Sequence, residues 1–526
     1  MTHTMKKILA YIIPFCMAVS SCDFLGENPE SFVSRGDFFK TEQQCISAVN
    51  SVYNGIKNVY NYQFFTHIEG TTDLICAPYA ISSDDAIMNI SPANCNVSKN
   101  VWSKGYKGVM YCNYAIAGLE ESAIDEQAKL ALLSEAKTMR AYWYYLLTST
   151  FGDVPFYTED VSDSEIMNRI AKYGRMSAYQ TRKALVEDLQ SCFPYDADGQ
   201  YAGALPQIRT SEMSAENVGR AGWAMGMTLI GKLALWNAYD KDKEHADSSQ
   251  FWFQTAKDAL EKVEAVYGDL SQYTLEDLKF KYKNTAERIF EIQHTYVSGQ
   301  LSYYSNLAPS CLPSYNKDTK KFDGVEIPEL GTEFKSNIVS KPTKYFYQEV
   351  QPKDGDDLRV DLNMGVRYNG QEFTNGKKTP WMGPKFWCPN MYQDRDDNNY
   401  PIFRYADVVL MLAECCCGLA DEEGFETRIN SVRTRAGLAD YSFGGDWTVA
   451  FNELCNERAR ELFGEFQRKY DLVRWGIWYE SVLSCTDFAQ LKQNIKPCHR
   501  FLPIHDTQVA YSGYNLDNDE YKQYGL

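Results

Sequence analysis

Several motifs that mark catalytic sites are missing from this 526-residue sequence. There is no Gly-x-Ser-x-Gly elbow, the turn on which α/β-hydrolases expose their nucleophile. There are six histidines, and no two of them have the helical spacing of a zinc-binding pair. They are His3, His67, His245, His294, His499 and His505. The sequence therefore supports neither a serine hydrolase of that class nor a helical zinc site.

Cysteine pairs of the Cys-x-x-Cys type are also absent, although the sequence has 15 cysteines. Zinc ribbons and thioredoxin-like redox sites are built on such pairs, so both classes are excluded. Cys415, Cys416 and Cys417 are consecutive within a predicted helix, where neighbouring side chains point in different directions and cannot bind one metal ion. We interpret the cysteines as small buried apolar residues and predict no metal and no cofactor.

Runs of basic residues are missing as well, and the formal net charge is −17 with a pI of about 5.0. Phosphate binding requires clustered Lys and Arg, so we exclude nucleic acid as a partner. The same charge disfavours a polyanionic glycan unless a local basic patch offsets it. The 70 acidic residues leave open a glycosidase pair, because the carboxylate separation that defines one is spatial.

No apolar run reaches the length of about 20 residues that a membrane-spanning helix needs. The apolar segment from Ile8 to Val19 has 12 residues and follows Lys6-Lys7, which is typical of a signal peptide. It is followed by Ser20-Ser21-Cys22, and the whole resembles a bacterial lipobox. We predict a lipoprotein signal peptide over residues 1–21 and lipid attachment at Cys22, the only membrane contact of the mature chain. The alternative is a plain secretory signal with a chance cysteine.

Aromatic residues are abundant, with 37 Tyr, 27 Phe and 10 Trp. Tyr and Trp combine an apolar face with a polar tip, which suits the half-exposed platforms on which sugar rings stack. Most of them must nevertheless belong to the core, because aromatic stripes at helical spacing are usually buried.

Helical patterns dominate the first part of the chain. Thr41 is a good N-cap for a helix whose apolar face continues through Val49 to Ile56. After a long loop over residues 71–100, a helical pair runs from Trp102 to Thr148, and further helices are predicted over 218–239 and 256–267.

A second helical part begins near Tyr400. Apolar spacing predicts a helix from Tyr405 that ends near Gly418, a second from about Glu426 to Gly437, and a third that Asp446 caps. Ordinary helix charge patterns favour a solvated face with a few ion pairs for the charged residues of this region. Between these two parts, residues 293–399 are rich in Pro, Gly, Asn and aromatic residues and show little periodicity.

Several short blocks of residues resemble the sequence motifs of a known family. One is Arg404-Tyr405-Ala406-Asp407 before an apolar run that ends in Ala413-Glu414, followed later by Glu457-Arg458 with Arg468, Asp471, Arg474 and Trp475. Another is Glu135-Ala136, then Arg140-Ala141-Tyr142, closed by Phe151-Gly152-Asp153-Val154-Pro155. These blocks resemble the SusD/RagB family, the surface glycan-binding lipoproteins of nutrient-uptake systems in Bacteroidetes.

The resemblance implies a mainly α fold, with a tetratricopeptide-like scaffold of helix pairs and a loop-rich, aromatic lobe with little β structure. No 34-residue period is visible in the sequence itself. We expect residues 22–526 to form one unit, with a helical part over 22–292, a loop-rich lobe over 293–399 and a second helical part over 400–526.

The resemblance also implies a function. It predicts a non-catalytic protein, lipid-anchored at the outer membrane and facing the exterior, that captures an oligosaccharide. The protein would pass its ligand to a SusC-like TonB-dependent transporter, which is its implied partner. Two alternatives stay open: an oligopeptide ligand in the same kind of uptake, and a secreted glycoside hydrolase.

Ligand contacts are not fixed by any motif of that family, so we predict them from chemistry alone. A sugar receptor needs aromatic faces for the ring and polar groups for the hydroxyls, and loops on a rigid scaffold supply both. Ordinary loop packing is the alternative for each candidate. The candidates are Tyr79, Asp84, Tyr303, Tyr304, Tyr315 and Trp381.

Overall fold

A computed structural model describes residues 38–78, 83–242, 245–296, 306–331, 336–337, 339–391 and 394–526. Helices make up most of its regular structure, and the strands are short. In the described ranges no helix combines the length and the apolar character that a bilayer crossing requires. The predicted signal peptide and Cys22 lie outside the described residues.

The helices of the first part alternate with short turns. They are α1 (Glu42–Asn50), α2 (Ile56–Val59), α3 (Tyr62–Ile68), α4 (Asn96–Glu121), α5 (Glu126–Phe151), α6 (Ser164–Ile170), α7 (Ala178–Cys192), α8 (Trp223–Ala238) and α9 (Ser249–Tyr267).

Helices also form most of the last part. They are α12 (Tyr405–Leu419), α13 (Glu422–Arg435), α14 (Trp447–Glu461), α15 (Arg468–Trp475), α16 (Trp478–Cys485), α17 (Ala489–Asn494), α18 (Asp506–Tyr511) and α19 (Asp519–Lys522). Two short helices, α10 (Leu307–Cys311) and α11 (Val360–Asn363), lie between the two parts.

The long helices pack in a chain, each against its neighbours. Helix α4 packs on α5, α5 on α7, α7 on α8, α8 on α9, α9 on α12, and α12 on both α13 and α14. Stacking of helical pairs in this order buries one continuous apolar core, which is the architecture of helical repeats. The mainly α, tetratricopeptide-like fold predicted from the sequence is confirmed.

Local signals in the sequence set several helix starts as predicted. Thr41 forms a complete capping box with Gln44 at the start of α1, and the Asp446 carboxylate accepts from the Thr448 amide at the start of α14. The predicted starts near residues 218, 256 and 426 were misplaced, because α8 begins at Trp223, α9 at Ser249 and α13 at Glu422. Propensity alone places helix ends with an uncertainty of several residues.

The end of α12 differs from the prediction. Gly418 lies inside the helix, where its bare Cα faces the Phe253 ring: a Cβ there would come within 2.6 Å of the ring. Ala420, with φ of 56°, takes the left-handed position that ends the helix. The glycine therefore serves helix packing, and an alanine serves as the cap.

Strands are paired two by two. The longest pair joins β2 (Arg288–Ile292) and β10 (Tyr400–Arg404) in antiparallel register, with Arg404 opposite Arg288, and β10 runs directly into α12. The other strands have two residues each: β1 (Ile75–Cys76), β3 (Tyr315–Asn316), β4 (Lys321–Phe322), β5 (Lys341–Pro342), β6 (Met364–Gly365), β7 (Arg367–Tyr368), β8 (Gln371–Glu372) and β9 (Trp381–Met382).

The cysteines of the described ranges are all reduced. Most are buried, and Cys417 and Cys485 are partly exposed. Burial raises the pKa of the Cys416 and Cys417 thiols to about 12. They behave as small apolar side chains, as the sequence predicted.

Candidate functional site

A buried ion network holds the C-terminal helices against the loop-rich segments. Arg404 donates to Glu287, Glu461 and Glu465, and Arg359 donates to Asp357, Glu457 and Glu461. These side chains are all 7% exposed or less. The interpretation of the α14 charges as a solvated face was therefore wrong: Glu457 and Glu461 face inward. Their partners come from distant segments that a helical pattern cannot reveal.

A second buried network lies where α8, α12, α14 and α15 meet. Asp407 pairs with Lys232 at 2.7 Å and with Arg458 at 3.1 Å, and Asp471 bonds to Arg458 and Arg474. Burial alone would raise the pKa of Asp471, but the two guanidinium groups outweigh it and lower the pKa to about 2. The polar residues of the sequence blocks that resemble the SusD/RagB family thus belong to the buried networks that hold the helical scaffold together.

The structure places Trp381 in the interior. Its ring is 3% exposed, its indole N–H donates to Asp323 Oδ2 at 2.8 Å, and the Lys341 ammonium lies 3.5 Å from the ring centre. Asp323 also accepts from the amides of Asn375 and Gly376. A sugar cannot stack on a ring face that a lysine already covers, so Trp381 has a structural role here. The partners that bury it lie 40 and 58 residues away, beyond the reach of a local pattern.

Asp84 and Tyr315 lie at the surface in different settings. The exposed Asp84 accepts from Asn89 and Asn94 and braces the loop over residues 83–95. Tyr315 is half-buried, with its ring 4.9 Å from that of Phe322 across the β3–β4 hairpin. Both side chains keep a surface that a ligand can reach.

Tyr79, Tyr303 and Tyr304 lie outside the described residues. The described chain that borders their segments converges on one face: β1, which ends at Cys76, pairs with β5. The approach to β5 runs beside α10, because the Asn337 amide donates to Pro309 and the Val339 amide to Ser310. The described chain before Tyr79 is therefore linked through β5 to the described chain after Tyr304.

The loop over residues 83–95 is fastened to the C-terminal segment. The Asn494 side chain donates to the Ile87 carbonyl at 3.0 Å, and the Asp506 amide donates to the Pro92 carbonyl at 3.0 Å. Between the loop and this segment lies a groove of about 400 Å³. It is lined by Ser91, Pro92, Ala93, Asp506, Val509, Tyr514, Leu516, Asp517, Asn518, Lys522 and Leu526. We call it the C-terminal groove.

Tyr514 stands at the edge of the C-terminal groove with its side chain 78% exposed. Its backbone has φ of 65°, an uncommon value outside glycine, and its amide donates to the Val509 carbonyl at 3.0 Å. The exposed carboxylates of Asp506 and Asp517 and the exposed Lys522 ammonium line the same groove. An apolar ring face beside such polar groups is the chemistry that a sugar requires.

Sequence reasoning did not single out Tyr514. The only local signal is the turn Ser512-Gly513-Tyr514, which presents an aromatic residue between polar ones. The groove itself depends on contact between two segments that are 407 residues apart at the Asn494–Ile87 hydrogen bond, which no window of sequence displays.

Histidines near the groove have structural roles. His505 Nδ1 accepts from the Thr507 amide and caps α18, and His499 Nδ1 accepts from the Lys496 amide. No group of three or more potential metal ligands occurs among the described side chains.

Two family models match this chain. Residues 391–524 match the SusD family, and residues 23–202 match a family described as starch-binding associating with outer membrane. The first match contains the α12, α14 and α15 members of the buried networks and most of the C-terminal groove, and the second contains α1 to α7.

Known proteins resemble the chain along nearly its whole length. SusD-like protein P25 of Formosa agariphila is 24% identical, covering 98% of both chains. A laminarin binding SusD-like protein of known structure superposes with a TM-score of 0.66 at 20% identity, over 91% of this chain and 99% of the other. Surface glycan-binding protein A from Bacteroides thetaiotaomicron, solved with laminarihexaose, gives a TM-score of 0.67 at 17% identity, over 90% and 98%. These likenesses establish the fold.

Proposed function

Since this chain belongs to the SusD/RagB family, we propose that it is a cell-surface glycan-binding lipoprotein that captures oligosaccharides without cleaving them. It then passes them to a SusC-like TonB-dependent transporter of the outer membrane. Two proteins of the same fold, the laminarin-binding one and the one solved with laminarihexaose, support a glycan as ligand.

The C-terminal groove is the observation that carries this proposal. The ring of Tyr514 offers an exposed apolar face, and the carboxylates of Asp506 and Asp517 accept hydrogen bonds from sugar hydroxyls. The exposed Lys522 ammonium, which pairs with Asp519, is a further donor in the lining. A sugar unit that stacks on Tyr514 is held by dispersion and by a few directed hydrogen bonds.

The mechanism is capture followed by transfer. Lipid on Cys22 tethers the protein beside its transporter. When the protein opens away from the pore, the tether keeps it and its ligand nearby at a high effective concentration. The buried ion networks keep the helical scaffold rigid, and the loops carry the ligand contacts. Tyr79, Asp84, Tyr303, Tyr304 and Tyr315 are proposed as further contacts.

Titration calorimetry of the protein without residues 1–22 tests the proposal. The panel contains neutral glycans, including laminarin oligosaccharides, acidic glycans and oligopeptides. We expect saturable heat with one glycan class, and Tyr514→Ala should weaken it by about tenfold because a stacked aromatic face is lost. Tyr511→Ala is the matched control, since Tyr511 is 80% exposed and does not line the groove.

The same samples are analysed for released products. Product formation would overturn capture in favour of a glycoside hydrolase, and heat with peptides alone would favour the oligopeptide alternative. Equal binding by the Tyr514→Ala and Tyr511→Ala variants would remove the C-terminal groove from the proposal. Pull-down of the transporter by the full-length lipoprotein, compared with a Cys22→Ser variant, tests the tether.

A further inference from the structure

Arg182 differs from the other buried arginines of this protein. Nine arginines in the described ranges are 9% exposed or less, and eight of them have a carboxylate within 4.0 Å. Arg182, which is 4% exposed, has none among the described residues. A buried charge without a counter-charge is costly, so its surroundings need an explanation.

The guanidinium of Arg182 has limited compensation. Its Nη2 donates to the Thr148 carbonyl at 3.2 Å, and its central carbon lies 4.4 Å from the ring centre of Trp236. Its Nε is enclosed without a hydrogen-bond partner. Burial lowers the pKa of Arg182 to about 10, although the more distant carboxylates of Asp240 and Asp153 oppose this. Most of the donor capacity of this side chain is therefore unused.

Arg182 lines a cavity with a volume of about 780 Å³. The cavity lies between the C-terminal ends of α5, α8 and α15 and the start of α7. Four further cations line it, of which Arg474 and Arg500 already pair with Glu414 and Glu520. Arg175 also has an enclosed Nε without a partner, and the Lys241 ammonium lies against Gly476, where a Cβ would be 2.5 Å from its Nζ.

We propose that this cavity binds the carboxylate of an acidic sugar unit, with Arg182 as the principal contact and Lys241 at the rim. A carboxylate supplies the counter-charge that the other buried arginines obtain from the chain itself. A guanidinium binds it through paired N–H donors, which also fixes the orientation of the sugar ring.

A sugar fits the rest of the lining better than a simple anion does. Asp153, Asp240 and Glu480 also line the cavity, and their oxygens accept hydrogen bonds from ring hydroxyls, whereas they repel a compact polyanion. Asp517 lines both this cavity and the C-terminal groove, so the two spaces are neighbours. The choice of a sugar rests on the proposed function, whereas the need for an anion rests on Arg182 alone.

Binding of glucuronate, with glucose and acetate as its two partial analogues, tests the proposal. Tryptophan fluorescence is the readout, because Trp236 and Trp478 line the cavity. We expect glucuronate to bind more tightly than either analogue. Arg182→Gln should weaken glucuronate binding by about tenfold or more, since a charge-assisted contact is lost, and the Lys241→Gln variant should weaken it by less. The glutamine retains a donor for the Thr148 carbonyl.

Two controls make the outcomes distinct. Lys183→Gln removes an exposed cation one residue along α7, outside the cavity, and should leave glucuronate binding unchanged. Tyr514→Ala should also leave it unchanged, so failure of the groove and failure of this cavity are separable.

Should Arg182→Gln not fold, the exposed Lys241→Gln variant still reports on the site. Equal affinity for glucose, or glucuronate binding that survives both cavity variants, would overturn the anion site. If acetate binds as tightly as glucuronate, the assignment of the ligand as a sugar is overturned.

Discussion

The Nη1 atom of Arg404 lies 2.7 Å from Glu461, 57 residues further along the chain. Glu461 also accepts from Arg359 at 2.8 Å and from Arg435 at 2.5 Å, so one buried carboxylate serves three guanidinium groups. Burial alone would raise the pKa of Glu461, but the three arginines hold it well below its ordinary value. Glu461 is therefore the residue on which the network depends.

Glu461→Gln should lower the free energy of unfolding by about 3–5 kcal/mol, because neutralising one partner leaves buried charges without compensation. Urea denaturation followed by circular dichroism measures this change. The matched control is Glu372→Gln, which breaks an exposed pair with Lys377 and should have no measurable effect. Equal stability of the two variants would contradict the importance of the network.

Ala420→Gly should raise the free energy of unfolding by about 0.5–1 kcal/mol. Glycine accepts the left-handed conformation that Ala420 adopts at φ of 56° with less steric cost than alanine does. The companion variant Gly418→Ala should destabilise, since its Cβ would meet the Phe253 ring at 2.6 Å. Thermal unfolding measures whether each variant is more or less stable than the parent protein. A stabilising Gly418→Ala would contradict this account of the end of α12.

Gly108→Ala should lower stability by about 1–3 kcal/mol, because overpacking exceeds the gain in helix propensity. A Cβ at this position of α4 would lie 2.2 Å from the Trp143 ring, which a 2.9 Å hydrogen bond to the Val52 carbonyl holds in place. Gly444→Ala is the control, since nothing lies within 4 Å of its added Cβ. Chemical denaturation that gives equal values for the two variants would disprove the close approach of α4 and α5.

His499 makes stability depend on pH. Burial, followed by the charges of Lys469 and Lys496, lowers the pKa of His499 to about 3 from an unfolded value near 6.5. Below pH 6.5 the His499 imidazole binds a proton in the unfolded chain but stays neutral in the folded chain. The contribution of this residue is therefore complete above pH 6.5 and is lost as the pH falls towards 3.

His499→Asn removes this titration while keeping an acceptor for the Lys496 amide. Between pH 7 and pH 5 the variant should lose about 1–2 kcal/mol less stability than the parent protein. The buried His67 and His294 are present in both proteins, so the difference isolates His499. Urea titrations at each pH give the two curves, and parallel curves would refute the prediction.

Local features of the fold could be predicted from the sequence. The capping box at Thr41, the cap at Asp446 and the apolar face of α12 each depend on residues within one or two helical turns. The charged face of α14 could not be interpreted in the same way. Whether Glu457 and Glu461 face water or core is decided by Arg359 and Arg404, which approach through tertiary packing alone.

The candidate site was predictable to a smaller extent, for the same reason. Chemistry favours aromatic residues on loops, but whether a ring is exposed depends on which distant residues pack over it. Trp381 is covered by Lys341, whereas Tyr514 lies in a turn where its side chain stays 78% exposed. The lack of a carboxylate within 4.0 Å of Arg182 among the described residues becomes visible only when the neighbours of its guanidinium are known.

The pairing of Asp73 with Arg468 links positions 395 residues apart, and the neighbouring Glu69 accepts from the Gln467 amide. A ribosome that adds about 5–20 residues per second needs roughly 20–80 seconds to make the intervening chain. During that time Asp73 and Glu69 lack these partners, so the segment after α3 completes its native contacts only when the C-terminal helices have been made. The order of synthesis thus makes this early segment one of the latest to be fully paired.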